Sequence, residues 1–332
     1  TLFVMPAVIK LAIKKRFLVG GGGRNSHEGF TPNVGGMAIF TGLLLANQYV
    51  LFYFFDTYAN FEISYDFESQ IKTYLLITAG AIVMFVTGLI DDISELSSYF
   101  RLLIQILVSF TIVYVGELRI DNFFGVLGLS EIPEFFSVIF TVSVIIFIIN
   151  SFNLTDGLDG LAASLGLFIL ICFAIIFYKN GKLYDCTFAC SAIASLFGFW
   201  LYNRPPARIF MGDSGSLVIG FIIACCAVRA CSMEVVSEVK NPVFILCILG
   251  YPAIDTLRVF ALRIISGKSP FSADRNHIHH LLIDKKFNHG WASFFAVMYC
   301  AVLTLICYFI VEYVFLSFFV MVTLAFLFIV LP

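Results

Sequence analysis

The sequence predicts an all-α protein that crosses a lipid bilayer about eleven times and forms one polytopic domain over residues 1–332. Three observations predict it. Apolar runs of bilayer-crossing length recur from one end of the chain to the other, and a hydrocarbon core of about 30 Å needs roughly 20 such residues per helix. Only 13% of the residues are charged, against 60% hydrophobic, which is about half the charge density of a soluble domain; the mean hydropathy is +0.97. The remaining polar residues gather in clusters between the runs. Length alone would suggest two soluble domains, but runs this long override that reading.

The runs lie near residues 1–13, 36–55, 71–90, 99–116, 135–150, 160–178, 185–202, 215–232, 242–262, 291–311 and 312–331. The last two could be one pair broken around Glu312, which would leave ten spans. No internal repeat or low-complexity tract is present. No signal peptide is recognisable. The first run is short for a span, and a native start further upstream is expected.

Alternate loops differ in charge. One set comprises residues 14–35, 91–98, 151–159, 203–214 and 263–290. With its flanks it carries twelve Lys or Arg, among them Arg24, Arg101, Arg204, Arg208 and Arg275; the opposite set carries six. Cytoplasmic loops are enriched in Lys and Arg, so the first set is expected in the cytoplasm and the N-terminus outside. The opposite loops hold acidic residues such as Asp56, Glu62 and Glu131, which read as a solvated face. The loop 117–134, with Gly125 and Gly128 among apolar residues, is consistent with a short hairpin.

Composition excludes several classes. A net charge of −2 leaves no basic field for nucleic acid. Most of the nine cysteines lie inside apolar runs and none forms a CxxC pair, so they read as small buried hydrophobes.

Each loop of the basic set carries one polar cluster. The first joins Arg24 and His27 to Thr31-Pro-Asn-Val-Gly35-Gly36, where the glycines permit close backbone approach or serve helix packing. The second is Asp91-Asp92 at the end of a span. Neighbours on a helix point about 100° apart, so these two carboxylates should have different partners. Capping the next helix is the structural alternative.

In the third cluster, Asn153-Leu-Thr-Asp156-Gly-Leu-Asp159-Gly160, the polar residues recur every three positions and would share one face if the segment were helical. Ionisable groups beside a bilayer are costly and usually functional. Gly157 and Gly160 would let a phosphate or nucleoside approach. The oxygen ligands suit Mg²⁺, which takes one or two carboxylates together with substrate phosphates; Mn²⁺ is the alternative ion. Asn153-Leu-Thr155 also fits a glycosylation sequon, a chance match in a cytoplasmic loop.

The fourth cluster runs from Asn203-Arg204 through Arg208 to Phe210-Met-Gly-Asp213-Ser-Gly215. Asp213 falls at a helix start, as an N-cap or as a metal-holding carboxylate near bound phosphates. The fifth is Asp274-Arg275-Asn-His277-Ile-His279-His280, with three of the chain's five histidines. Zinc is one reading, but no cysteine lies nearby. Histidine and arginine donors to a diphosphate explain the cluster equally well. Upstream, Asp255 and Arg258 are spaced for an ion pair within a helix, or for a role in function.

Taken together, these motifs resemble the polyprenyl-phosphate N-acetylhexosamine-1-phosphate transferases. The resemblance covers nearly the whole chain. The His-Ile-His-His form is similar to the GlcNAc-1-phosphate branch. The phospho-MurNAc-pentapeptide branch typically carries three consecutive histidines and a Lys near the Thr-Pro motif, which this chain lacks. One departure is Gly20-Gly-Gly-Gly23, where the family usually has an Asp-x-Pro element.

The resemblance implies a bacterial inner-membrane enzyme whose cytoplasmic site transfers N-acetylhexosamine-1-phosphate, GlcNAc-1-phosphate by default, from a UDP-sugar to undecaprenyl phosphate, releasing UMP. That step would begin a cell-envelope glycan of O-antigen, common-antigen or teichoic-acid type. It further implies that Asp213, with Asn153, binds Mg²⁺. Asp91 and Asp92 would orient or deprotonate the lipid phosphate and support the metal. Asp159, Asn203 and Phe210 would hold the uracil and ribose, Phe210 by stacking. Arg275, His277, His279 and His280 would bind the diphosphate or sugar. Asp156 and His279 join the catalytic set, and His27 the substrate-binding set. The implied partners are UDP-N-acetylhexosamine, undecaprenyl phosphate and the bilayer; a homodimer is compatible with them. Two rivals are a transporter, which would place its acids near the midplane with inverted repeats, and a zinc hydrolase resting on the three histidines.

Overall fold

The computed structural model describes residues 1–15, 17–19, 31–58, 65–233, 242–269 and 276–330. They form an all-helical bundle. A short helix α1 (Met5–Lys15) leads into a two-residue antiparallel ribbon, β1 (Leu18–Val19) against β2 (Thr31–Pro32), in which Leu18 faces Pro32. The bundle helices are α2 (Gly35–Tyr58), α3 (Tyr65–Ser94), α4 (Ser98–Tyr114), α5 (Glu134–Asn153), α6 (Leu161–Lys179), α7 (Leu183–Asn203) and α8 (Gly212–Ser232). After them come α9 (Pro242–Ile248), α10 (Gly250–Ile265), the short α11 (Ile278–Asp284), α12 (His289–Phe309) and α13 (Val314–Val330).

Every predicted run is helical, yet their lengths differ. Among the described residues, seven helices are long and apolar enough to cross a membrane: α2, α3, α5, α6, α7, α8 and α12. The bent pair α9–α10 makes an eighth if counted as one span. Helices α4 and α13 have 17 residues each, or about 26 Å at 1.5 Å per residue, just short of the hydrocarbon thickness. Helix α1 has 11 residues and reaches about 16 Å, less than the hydrocarbon thickness.

Helix α8 is the axis of the bundle. It is apolar on all sides, and almost every residue in it is buried, as expected of a helix without a polar face. Helices α3 and α5 pack along it, with α2 and α6 beside them. Between apolar helices in lipid the driving force is close packing and hydrogen bonding, and small residues bring backbones together. At Gly88 of α3 an added Cβ would collide with the Asp213 carbonyl, and at Gly36 of α2 it would collide with the backbone of Ser214 and Gly215. Three helix ends therefore meet backbone to backbone at the start of α8.

Polar groups inside the bundle are paired across helices. Asn150 of α5 donates to Gln105 of α4 at 2.7 Å, and Arg229 of α8 meets Asp185 of α7 at 3.1 Å. The predicted hairpin in the loop 117–134 is present as a bridge between Asn122 and Glu131, with Phe123 N–H donating to the Ser130 carbonyl at 2.8 Å.

The span predicted over 242–262 is broken. Helices α9 and α10 meet at 84°. Pro252 lies in the first turn of α10, where its missing N–H costs nothing, whereas its ring would strike the Ile248 carbonyl if α9 ran on. The Tyr251 N–H, orphaned by the break, points to Cys300 Sγ at 3.2 Å.

Candidate active site

Five segments meet at one end of the bundle. Backbone bonds join the first to the fourth: Phe210 N–H donates to the Pro32 carbonyl (2.8 Å), Gly35 N–H to the Phe210 carbonyl (3.0 Å) and Gly36 N–H to the Met211 carbonyl (2.9 Å). The Thr31–Gly36 motif is thus a brace for the turn that starts α8. Gly212 in that turn has φ +71°, where a side chain would be strained, and a Cβ there would also sit 2.8 Å from the Asp92 carboxylate.

Asp91 and Asp92 have different partners, as their spacing requires. Both oxygens of Asp92 accept from the start of α8, Oδ1 from Asp213 N–H (2.7 Å) and Oδ2 from Ser214 N–H (3.0 Å). Asp92 therefore caps a helix, though not the next one. Helix α4 is capped by Ser97, whose Oγ accepts from Phe100 N–H at 3.3 Å. The buried Asp91 accepts from Leu96 N–H and from the Arg101 guanidinium. Arg101 Nη1 also lies 3.4 Å from Asp213 Oδ2, so one cation spans two carboxylates of the cluster.

Asp213 is in the first turn of α8, behind the cap rather than forming it. Its Oδ1 accepts from Asn153 Nδ2 at 2.6 Å, and the same amide nitrogen donates to Ser216 Oγ at 2.7 Å. The three-residue recurrence from Asn153 does not continue as a helix. Helix α5 ends at Asn153 and residues 154–160 turn. Asn153 and Asp156 are consequently directed to the Asp213 side, while Asp159 is buried elsewhere. Asp159 Oδ2 accepts from Ala207 N–H at 3.1 Å and lies 3.4 Å from His289 Nδ1. Asn203 accepts from Gly160 N–H (3.0 Å) and donates to the Ile209 carbonyl (2.8 Å). Together, Asp159 and Asn203 join the turn 154–160 to residues 204–211.

The carboxylates repel one another. Partial burial, then the charge of Asp213, then that of Asp92, push the Asp156 carboxyl up to about 7, against a hydrogen bond from Gly212 N–H that acts the other way. Excess negative charge with oxygen donors is what a hard cation relieves. Among the described residues no group of three His, Cys, Asp or Glu is arranged to hold a metal ion. The site instead offers two carboxylates, Asp213 and Asp156, beside the Asn153 amide, and one or two carboxylates are what Mg²⁺ takes when substrate phosphates complete its shell. The same finding leaves the zinc reading without a ligand set among the described residues.

The histidines arrive from α11. His279 is buried, with Nδ1 3.5 Å from the Tyr251 hydroxyl. Its ring is stacked on His277 (5.5 Å between centroids) and close to His280 (4.4 Å). Burial and then the neighbouring His280 and His277 hold the His279 imidazole well below its usual range. A Cβ on Gly157 would lie 2.7 Å from His279 Nε2. The space expected at Gly157 for a substrate is therefore occupied by His279. Gly160 is needed for its φ of +77° at the start of α6 and sits against Pro205.

Phe210 is half-buried in the same turn. Arg24, His27, Asp274 and Arg275 lie outside the described residues. Arg101, Tyr251 and His289 were not singled out for the site from sequence. Arg101 stands ten positions past Asp91, and His289 is the one histidine outside every motif. The Asp255–Arg258 ion pair exists at 3.8 Å, but Asp255 lies closer to His277, at 2.8 Å.

Comparison with known proteins places the chain among relatives of one description. Residues 74–231 match the family profile described as Glycosyl transferase family 4. The chain is 35% identical over 295 residues to a probable undecaprenyl-phosphate N-acetylglucosaminyl 1-phosphate transferase of Bacillus subtilis (strain 168), covering 87% of this chain and 75% of that one. Similarity to the undecaprenyl-phosphate alpha-N-acetylglucosaminyl 1-phosphate transferase of Yersinia pestis is 29% identity over 302 residues, 90% of this chain and 78% of the relative. The protein of the same description from Escherichia coli (strain K12) is 26% identical over 285 residues, 84% and 72% of the two chains.

Proposed function

Because the chain belongs to glycosyl transferase family 4, we propose that it transfers N-acetylhexosamine-1-phosphate, first of all GlcNAc-1-phosphate, from a UDP-sugar to undecaprenyl phosphate. The products are UMP and an undecaprenyl diphospho-sugar, the first lipid-linked intermediate of an envelope glycan. The observation that carries this reading is the carboxylate–arginine–amide cluster of Asp91, Arg101, Asp213, Asn153 and Asp156 at one end of an apolar bundle, with His279 packed on the same turn. A membrane-edge site of this composition suits a reaction between two anionic partners, one water-soluble and one anchored in lipid. The twelve-to-six excess of Lys and Arg supports a cytoplasmic site, where UDP-sugars are made.

The acceptor phosphate is a monoester with a second pKa of about 6, so it is largely dianionic at neutral pH and already nucleophilic. Its oxygen attacks the β-phosphorus, the bond from that phosphorus to the bridging oxygen breaks, and UMP departs. The chief barrier is repulsion between the reactants, so charge neutralisation and in-line positioning matter most. Mg²⁺ held by Asp213 with Asn153 and Asp156 would supply part of that neutralisation when bound. Arg101, Arg275, His277 and His280 supply donors from the chain. Asp92 keeps Asp213 at its station by capping α8, and Asp91 keeps Arg101 beside it. Asp159, Asn203 and Phe210 form the nucleoside side. His279, held neutral, offers a hydrogen bond without a charge.

The test is direct. Purified protein in undecaprenyl-phosphate vesicles is given a panel of UDP-sugars with Mg²⁺, and UMP release is followed. Release with UDP-GlcNAc and formation of the diphospho-lipid is the expected result. No release with any sugar nucleotide overturns the proposal.

A further inference from the structure

We propose that Asp255 and Arg258 form a clamp that sets the register of the His-Ile-His-His segment, making Asp255 a positioning residue for His279. The sharp bend before α10 directs that helix away from α9, and one turn of it then faces residues 276–278. Contacts from α10 reach each of these three residues. Arg258 Nη1 donates to the Asn276 carbonyl at 2.6 Å. His277 Nδ1 meets Asp255 Oδ2 at 2.8 Å. Ile278 N–H donates to Asp255 Oδ1 at 3.0 Å.

The chemistry of these contacts is specific. His277 is the N-cap of α11 but makes no side-chain cap bond, so the N-terminal N–H of Ile278 would be an orphan without Asp255. A carboxylate accepts and has no proton to give, so Nδ1 of His277 is the donor and its tautomer is set by Asp255. The aspartate is 2% exposed, where removing its charge-assisted bonds leaves polar groups unsatisfied. Downstream, the His277 ring stacks within 17° of parallel on the His279 ring. His279 is 1% exposed, with Nε2 filling the space above Gly157. The path from α10 to the site is therefore Asp255, His277, His279, Gly157. At 3.8 Å, the contact between Asp255 and Arg258 themselves is the weakest of the set.

The catalytic part of this inference rests on the transferase reading; the register part does not. Full-length protein in lipid vesicles is prepared as wild type, Asp255→Asn, His279→Ala, the double variant and Arg258→Gln. Hydrogen–deuterium exchange of residues 276–284 and UMP release are both measured. Asp255→Asn is expected to speed exchange of that segment by about tenfold while α8 is unchanged, and to slow turnover by about tenfold or more. Added to His279→Ala, it should cost less than about twofold further, because both changes act on one group. Unchanged exchange at 276–284, or losses that simply multiply in the double variant, overturn the clamp. Should Asp255→Asn fail to fold, Arg258→Gln, which keeps the buried carboxylate, must show the faster exchange, and unchanged exchange there overturns it equally. A wild type that releases no UMP defeats the transferase reading, and exchange alone then decides the clamp.

Discussion

Asp92 caps the helix that carries Asp213: the Asp213 N–H donates to Asp92 Oδ1 at 2.7 Å, across 121 positions of sequence. One aspartate thus positions the backbone of the other. Losing a capping side chain costs about 0.5–2 kcal/mol, so Asp92→Ala should lower the melting temperature of the protein in lipid or detergent and reduce turnover as Asp213 shifts. Asp213→Ala leaves the cap in place. It should melt close to wild type yet lose activity by a hundredfold or more, on the order of what removing a transition-state charge contact costs. Robust activity in Asp213→Ala would remove the metal assignment.

Arg101 competes with any cation for Asp213. It holds Asp91 more closely than Asp213, which is 3.4 Å away with both side chains about 30% exposed. A pair this exposed is worth only about 0–1 kcal/mol, so a divalent ion can displace it. Arg101→Gln should therefore lower the Mg²⁺ concentration giving half-maximal rate by a few-fold, while kcat falls because a donor to the anionic reactants is gone. A higher Mg²⁺ requirement in the variant would show that Arg101 orders the metal site instead.

What could be read in advance follows from the range of each interaction. The positions of the apolar helices were legible because an apolar run is a local property of composition; the number of spans was not, since only seven or eight of the eleven expected are long enough among the described residues. The divergence of Asp91 and Asp92 was legible too, because it follows from helix geometry. The identity of their partners was not, because a cap looks the same whether it serves the next helix or α8. The every-third spacing from Asn153 suggested a helical face, but the chain leaves the helix at that residue, and Asp159 points to Ala207 and His289. Gly157 showed only that space was needed, without showing that His279 from the far end of the chain fills it. The ninth run reads as one continuous span; its bend ahead of Pro252 depends on packing against α12 that no local pattern encodes.

Asp156 should give the protein a distinctive pH response. Its carboxyl is pushed up to about 7 by partial burial and the nearby negative charge, so the metal-free folded protein holds a proton that the unfolded chain, near 3.8, gives up earlier. The native state then binds more protons between about 4 and 7, and metal-free stability declines as pH rises through that window. Asp156→Asn should raise the metal-free melting temperature at pH 8 and leave it nearly unchanged at pH 4. Mg²⁺ binding needs the carboxylate, so apparent affinity should weaken by up to about tenfold per unit as pH falls below 7. That slope should flatten in Asp156→Asn, measured by Mg²⁺ titration of the rate or of the melting temperature. An unaltered slope would take Asp156 out of the metal site.

Gly157→Ala tests the contact between the turn and the histidine segment. The added Cβ would lie 2.7 Å from His279 Nε2, closer than carbon and nitrogen tolerate, so either the ring or the turn must move. Overpacking of this kind costs about 1–3 kcal/mol, and the turn is braced by Asn203 through Gly160 N–H. The ring should therefore yield, with turnover falling at least tenfold by the sensitivity of rates to small misplacements. In a His279→Ala background the clash disappears, and Gly157→Ala should then change neither the melting temperature nor the residual rate appreciably. Equal penalties in both backgrounds would mean that Gly157 is required for something other than clearance of His279.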